Sequence, residues 1–222
     1  MSQFMKILAL GVVAGCLGSA GFQDAFAIGS KSGGSDWPCP QRKVEKLGAA
    51  ELQWEGPPLE GVKGWRDDAA ANAIITTLAN RRVPLDDAIK ALKAYSDGMA
   101  ASERAGKLTL VFAGLLDTVN QYRSTIISGI ERFDKRQKGR AAEIEEEGLK
   151  LAELQKKADA GGDEAAKAEY AKALELYEWN TRIFEERRGN LPLACEIPPA
   201  IDARMFDIVR ELRTMMGTQP PG

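Results

Sequence analysis

An all-α fold is predicted by three features of the sequence. Apolar residues recur at steps of three and four along most of the chain after Asp67, no proline interrupts the stretch from about Ser102 to Ala158, and the breaks between periodic stretches carry helix-end residues. The expected architecture is a helical bundle with a long protruding antiparallel helical hairpin, coiled-coil-like, and an irregular Trp/Pro-rich N-terminal arm.

Asp67 or Asp68 caps a first helix that carries Ile74, Ile75 and Leu78 and ends near Asn80. Val83-Pro84 opens a second at Leu85, with Ile89, Leu92 and Tyr95 at helical spacing and a stop near Gly98. The third, from about Ser102 to Ala158, shows apolar positions at Leu108, Phe112, Leu115, Val119, Tyr122, Ile126, Ile130 and Phe133, and a weaker continuation through Ala141, Ile144, Gly148, Leu151 and Leu154. Unbroken, it would span about 85 Å. Its irregular steps argue against a long regular supercoil. Gly161 suits a left-handed position after the helix end, and Asp163 suits the N-cap of a fourth helix running to about Arg188, with Tyr170, Leu174, Tyr177 and Phe184 on one side. So short a connection forces an antiparallel pair. Gly189 to Pro199 reads as turn-rich, and a last helix starts at Pro199, carries Ile201, Met205, Ile208, Val209 and Leu212, and stops at Gly217.

Upstream, the organisation is different. Residues 1–27 read as an export signal: Lys6 gives a positive start, Ile7 to about Ala20 is apolar, and Ala25-Phe26-Ala27 is a small-x-small cleavage site. Within it, Val13-Ala14-Gly15-Cys16 resembles a lipobox, which would make Cys16 a lipidated first residue. The apolar Leu17, Ala20 and Phe22 that follow favour cleavage after Ala27 instead. Residues 28–36 form a Gly/Ser-rich flexible linker. Residues 37–66 form an arm in which Trp37, Trp54 and Trp65 stand among Pro38, Pro40, Pro57 and Pro58, a proline density that forbids regular helix beyond a short turn around Ala49 to Trp54. Its tryptophans are expected to anchor it to the helices of the 67–222 domain, the alternative being a platform for a ligand.

With Cys16 removed or lipidated, Cys39 and Cys195 remain. An even pair in an exported chain reads as a disulfide, against a redox pair or metal thiolates, which lack a Cys-x-x-Cys motif and histidine partners. Closing so long a loop stabilises by roughly 4–5 kcal/mol in the chain-entropy model.

Composition excludes more than it assigns. The net charge is −2, and removal of the first 27 residues takes away only Lys6 and Asp24, so a nucleic-acid footprint is not expected. The chain has no histidine, which removes the commonest general base and metal ligand. Gly106-Lys107 lacks the upstream glycine of a phosphate loop, and no nucleophile–base motif occurs. Glu143, Glu145, Glu146 and Glu147 are expected to pair with Arg140 and Lys150 as a solvated face rather than to hold a cation. Asp159, Asp163 and Glu164 are read as helix-end residues. Arg132, Lys135, Arg136, Lys138 and Arg140 form a basic block, the best candidate contact for an anionic surface or a complementary helix. Gly114, Gly129, Gly139 and Gly148 are candidates for close helix approach, and Asn120, Gln121, Arg123 and Gln137 for a polar network that fixes register.

The function expected is a non-enzymatic scaffold or adaptor of the bacterial envelope. It would be periplasmic or secreted, would hold a protein partner through helical surfaces, and would use no cofactor or metal. Membrane association is expected only if Cys16 is lipidated. The alternatives are a periplasmic ligand-binding protein with a tryptophan-rich lid, a lipoprotein adaptor, or a hydrolase built on two facing carboxylates.

Overall fold

A computed structural model describes residues 37–161 and 163–217. Residues 1–27, expected to be an export signal and including Cys16, the stretch 28–36 expected to be a linker, and the Pro-rich tail lie outside the described residues. The described chain forms six helices: α1 (Ala69–Ala79), α2 (Leu85–Asp97), α3 (Ala101–Asp159), α4 (Glu164–Arg188), α5 (Asn190–Cys195) and α6 (Ile197–Met216). No strand occurs among the described residues.

The helix ends follow from capping chemistry. The Asp68 side chain accepts from the Ala71 N–H and the Asp163 side chain from the Ala166 N–H, each satisfying a donor that has no partner within its helix. Gly217, at φ 77°, takes the left-handed position that ends α6. The Asp68 carboxyl is held below the usual carboxylate range, first by the Ala71 N–H and then by Lys107. Folding therefore disfavours its protonation, and its contribution is complete above the ordinary Asp range and lost as pH falls through the depressed value. Asp68→Ala should cost about 1 kcal/mol near neutrality. That gap should narrow in urea titrations run below about pH 3, under the ordinary Asp range. A gap independent of pH would contradict the capping role.

The core lies where α1, α2, the first half of α3 and α6 meet. Leu78, Leu92, Phe112, Leu115, Met205, Ile208 and Leu212 are all buried there. The arm docks on it as the sequence predicts. Gly48 to Trp54 make a single turn, and the Trp54 ring stacks on Phe112 with centroids 4.1 Å apart. Trp54 Nε1 donates to the Pro57 carbonyl at 2.9 Å. Trp65 lies against Gly114, and Trp37 packs beside Cys39, Cys195 and Ile130.

Cys39 and Cys195 are joined as a disulfide, Cα atoms 5.5 Å apart across 156 residues of sequence. Three polar ties run parallel to it. Asn120 accepts from the Leu47 N–H and donates to the Leu47 carbonyl, pairing with the arm as a strand would. Arg123, only 2% exposed, makes a two-bonded pair with Asp202 of α6 (2.7 and 3.1 Å) and donates to the Val44 carbonyl. Arg213 pairs with Glu55.

Some expectations are corrected. Gln121 is exposed and donates to Asp117 instead of joining the buried network. Tyr122 is 49% exposed, because the partners flanking α3 leave its side of the stripe open. The stretch from Gly189 to Pro199 is not a loop: α5 fills Asn190–Cys195 and α6 begins at Ile197. Pro192, Pro198 and Pro199 sit in first turns, where a missing N–H removes no helical bond.

Of the four glycines, Gly114 is where helices meet tightly. A Cβ there would lie 2.5 Å from Ile75 Cδ1 and 2.7 Å from Trp65 Cδ2. Gly114→Ala should destabilise by about 1–3 kcal/mol through overpacking. At Gly129 and Gly139 a Cβ meets nothing within 4 Å. Gly139→Ala should stabilise by roughly 0.5–1 kcal/mol. Urea unfolding of both variants checks this, and equal stabilities would contradict the seating of Trp65.

Candidate functional site

The second half of α3 and all of α4 are built differently from the core. Among the described residues α4 has none that is buried. Partial or full burial on α3 recurs at Gln137, Arg140, Ile144, Glu147, Leu151, Leu154 and Ala158, and on α4 at Ala166, Tyr170, Ala173, Tyr177, Asn180 and Phe184, alternating steps of three and four. That spacing keeps one narrow seam between two helices and leaves the remaining faces open. α4 returns along α3: Asn180 Nδ2 donates to Glu147 Oε2 at 3.0 Å, and Tyr177 lies against Gly148, where a Cβ would stand 3.4 Å from its hydroxyl.

Charges close over the seam. Arg140 pairs with Glu143 (2.8 Å) and Glu147 (3.1 Å), and Lys150 with Glu146 (2.9 Å). The bond to Glu143 raises the Arg140 pKa, and the bond to Lys150 lowers that of Glu146. The acidic run is thus the solvated, paired face that its spacing predicts. At the turn, Asp163 caps α4 and Glu164 pairs with Lys167. Among the described residues no three cysteine or carboxylate side chains converge as a metal site.

The basic block divides. Lys138 pairs with the buried Asp134 and Arg140 with the glutamates. Arg132, Lys135 and Arg136 are exposed and pair with no carboxylate among the described residues. They fall within one side of α3, since residues three and four apart are neighbours on a helix.

Three large apolar side chains stand open on the same helix pair: Leu149 (66% exposed), Leu176 (60%) and Trp179 (55%), the last with the Arg182 guanidinium 4.7 Å from its ring centroid. Leu176, Trp179 and the half-buried Ile183 recur at steps of three and four on α4, one position away from the seam residues. α4 thus carries two apolar stripes, of which α3 covers one.

The tryptophans named from the sequence occupy a different place. Trp37, Trp54 and Trp65 are built into the arm and its contacts with the helices. Trp179 and Leu176 are not among the residues that the sequence singles out, although their spacing beside Tyr177 is visible there. The Cys39–Cys195 bridge joins the arm to the end of α5, next to α4.

No protein-family model, curated protein or solved structure matches this chain. Among the described residues, a cavity between α1, α3 and α6 has no carboxylate in its lining, and another beside the arm has only Asp117, which pairs with Arg66 at 2.8 Å. Neither offers the facing carboxylates of a hydrolase.

Proposed function

We propose that this protein is an exported, non-enzymatic adaptor of the bacterial envelope that holds a partner along the outer face of α4. The observation that carries the reading is the second apolar stripe, Leu176, Trp179 and Ile183, on a helix with no buried residue. A single exposed leucine needs no explanation, whereas an aromatic and aliphatic stripe at helical spacing is the surface a partner helix covers. The partner that fits is an amphipathic helix with acidic flanks, because Arg132, Lys135 and Arg136 on α3 pair with no carboxylate among the described residues.

Export is part of the same proposal. It is supported by the signal-like residues 1–27 and by the Cys39–Cys195 bridge, which is compatible with an oxidising compartment. Among the described residues no helix is long and apolar enough to cross a membrane. Lipidation at Cys16 would make the same adaptor membrane-tethered.

Photo-cross-linking in the producing cell tests the partner surface. A cross-linker at position 179 or 176 should give one dominant adduct to a protein with an acidic amphipathic helix. Charge reversal of Arg132, Lys135 and Arg136 to Glu should reduce its yield about tenfold or more, as several contacts are lost together. No adduct above that from a control position at Ala160, or an adduct only with a second copy of the chain, would overturn the reading.

A further inference from the structure

The cavity between the end of α1, the first half of α3 and the first half of α6 has a volume of about 330 Å³. That lies at the lower end of the ~300–1,000 Å³ typical of small-molecule sites. Its floor is apolar and fixed: Leu78, Val119, Met205 and Ile208 are all buried core residues. The polar part of the lining is Arg81, Arg204, Thr118, Gln121, Tyr122 and Thr125, and among the described residues no acidic side chain joins them.

Arg204 is the more constrained. Its Nε donates to the Leu78 carbonyl at 3.1 Å and a terminal nitrogen to the Asn80 carbonyl at 3.4 Å, which satisfies carbonyls left over where α1 ends. A guanidinium has five N–H donors, so three remain. Burial pushes its pKa down, as expected of a cation taken from water without an anion beside it. Arg81 lies over the Tyr122 ring at 5.9 Å, and neither arginine has a carboxylate partner among the described residues. Tyr122, half exposed, is part of the lining.

An apolar floor beneath two unneutralised forked cations is complementary to one kind of guest. We propose that this cavity binds a small amphipathic carboxylate, its apolar body on the Leu78–Met205–Ile208 floor and its carboxylate bridged by Arg81 and Arg204. Arginine suits this role because its planar fork matches a carboxylate in two parallel bonds. Bound there, the guest would tie the end of α1 to α3 and α6. The site is separate from the α4 stripe and does not depend on the adaptor reading.

Calorimetric titration of the oxidised full chain tests it with decanoate and 1-naphthoate, below any micelle concentration, against decanol and decyltrimethylammonium. At least one carboxylate should bind saturably with one site per chain. Decanol should bind at least roughly tenfold more weakly and the ammonium compound weaker still, because charge-assisted bonds are lost. Arg81→Gln, on an exposed side chain, should weaken the carboxylate by roughly tenfold or more, and so should Arg204→Gln if it folds. Ala79→Phe, which fills the cavity, should abolish binding. Leu176→Glu with Trp179→Glu should leave carboxylate binding unchanged, which separates this site from the partner surface. Failure of both carboxylates to saturate would overturn the proposal. So would equal affinity for decanol, or binding indifferent to Arg81→Gln and Ala79→Phe.

Discussion

Replacing Cys39 and Cys195 together by serine is expected to destabilise the protein by roughly 4–5 kcal/mol, the loss predicted when the unfolded chain regains the freedom of an open loop of this size. The bridge spans 156 residues, so nearly all of the described chain is constrained by it. Its removal also loosens its surroundings, since Gln41 Nε2 donates to the Cys195 carbonyl and Trp37 Nε1 to the Gln41 carbonyl at 2.8 Å. Urea unfolding followed by tryptophan fluorescence, with and without reductant, measures the effect. Reduced wild type and the double serine variant should unfold at the same midpoint. A loss below about 1 kcal/mol, far under the chain-entropy figure, would mean that Asn120, Arg123 and Trp54 hold the arm without help from the bridge.

The second large effect concerns the buried ion pair. Asp202→Ala should cost about 3 kcal/mol, the lower end of the range for breaking a buried pair, because it leaves the Arg123 guanidinium without its carboxylate. The asymmetry sets the expectation: the Arg123 side chain is 2% exposed and that of Asp202 26%. The carboxylate already meets water if the arginine goes, whereas the arginine starts from a buried site if the carboxylate goes. Arg123→Met should therefore be milder, and the double variant Arg123→Met with Asp202→Ala should recover much of the loss. A double-mutant cycle in urea checks the ordering. Additive losses would contradict direct coupling, although the Val44 carbonyl would still lose its donor in both arginine variants.

Most of the helical plan is legible in the sequence, and the reasons are local. Asp68 and Asp163 announce helix starts because their side chains supply what the backbone lacks there. Leu85 to Gly98 is set between a proline and a glycine, and the observed α2 keeps those bounds. α3 runs unbroken for 59 residues, as a proline-free periodic stretch should. The missed element, α5, shows the limit of the same reasoning. Pro199 is read from the sequence as a first-turn residue, but Pro192 and Pro198 read as breakers although they too fall in first turns, and distinguishing the two needs the register that tertiary packing sets.

The candidate sites were less legible. Cys39 and Cys195 could be paired by elimination, and Arg123 and Asn120 stood out as polar residues on an apolar stripe. Their partners could not be named, because Asp202, Val44 and Leu47 come from segments remote in sequence. The α1–α3–α6 cavity is of the same kind: Arg204 reaches the Leu78 carbonyl across 126 residues. Trp179 was hidden for the opposite reason. On a two-stranded helix pair an exposed stripe and a covered one have the same spacing, and only the seam tells them apart.

Export with the bridge closed is the premise of the adaptor reading, and the intact mass of the native protein tests it most directly. Protein should be taken from the soluble and membrane fractions of producing cells and weighed with and without reductant. A soluble chain beginning at Ile28, lighter by one pair of hydrogens until reductant is added, is the result expected. A chain retaining residues 1–27 with both thiols free would contradict export and bridge together, and a lipidated chain beginning at Cys16 would replace a soluble adaptor with a membrane-tethered one.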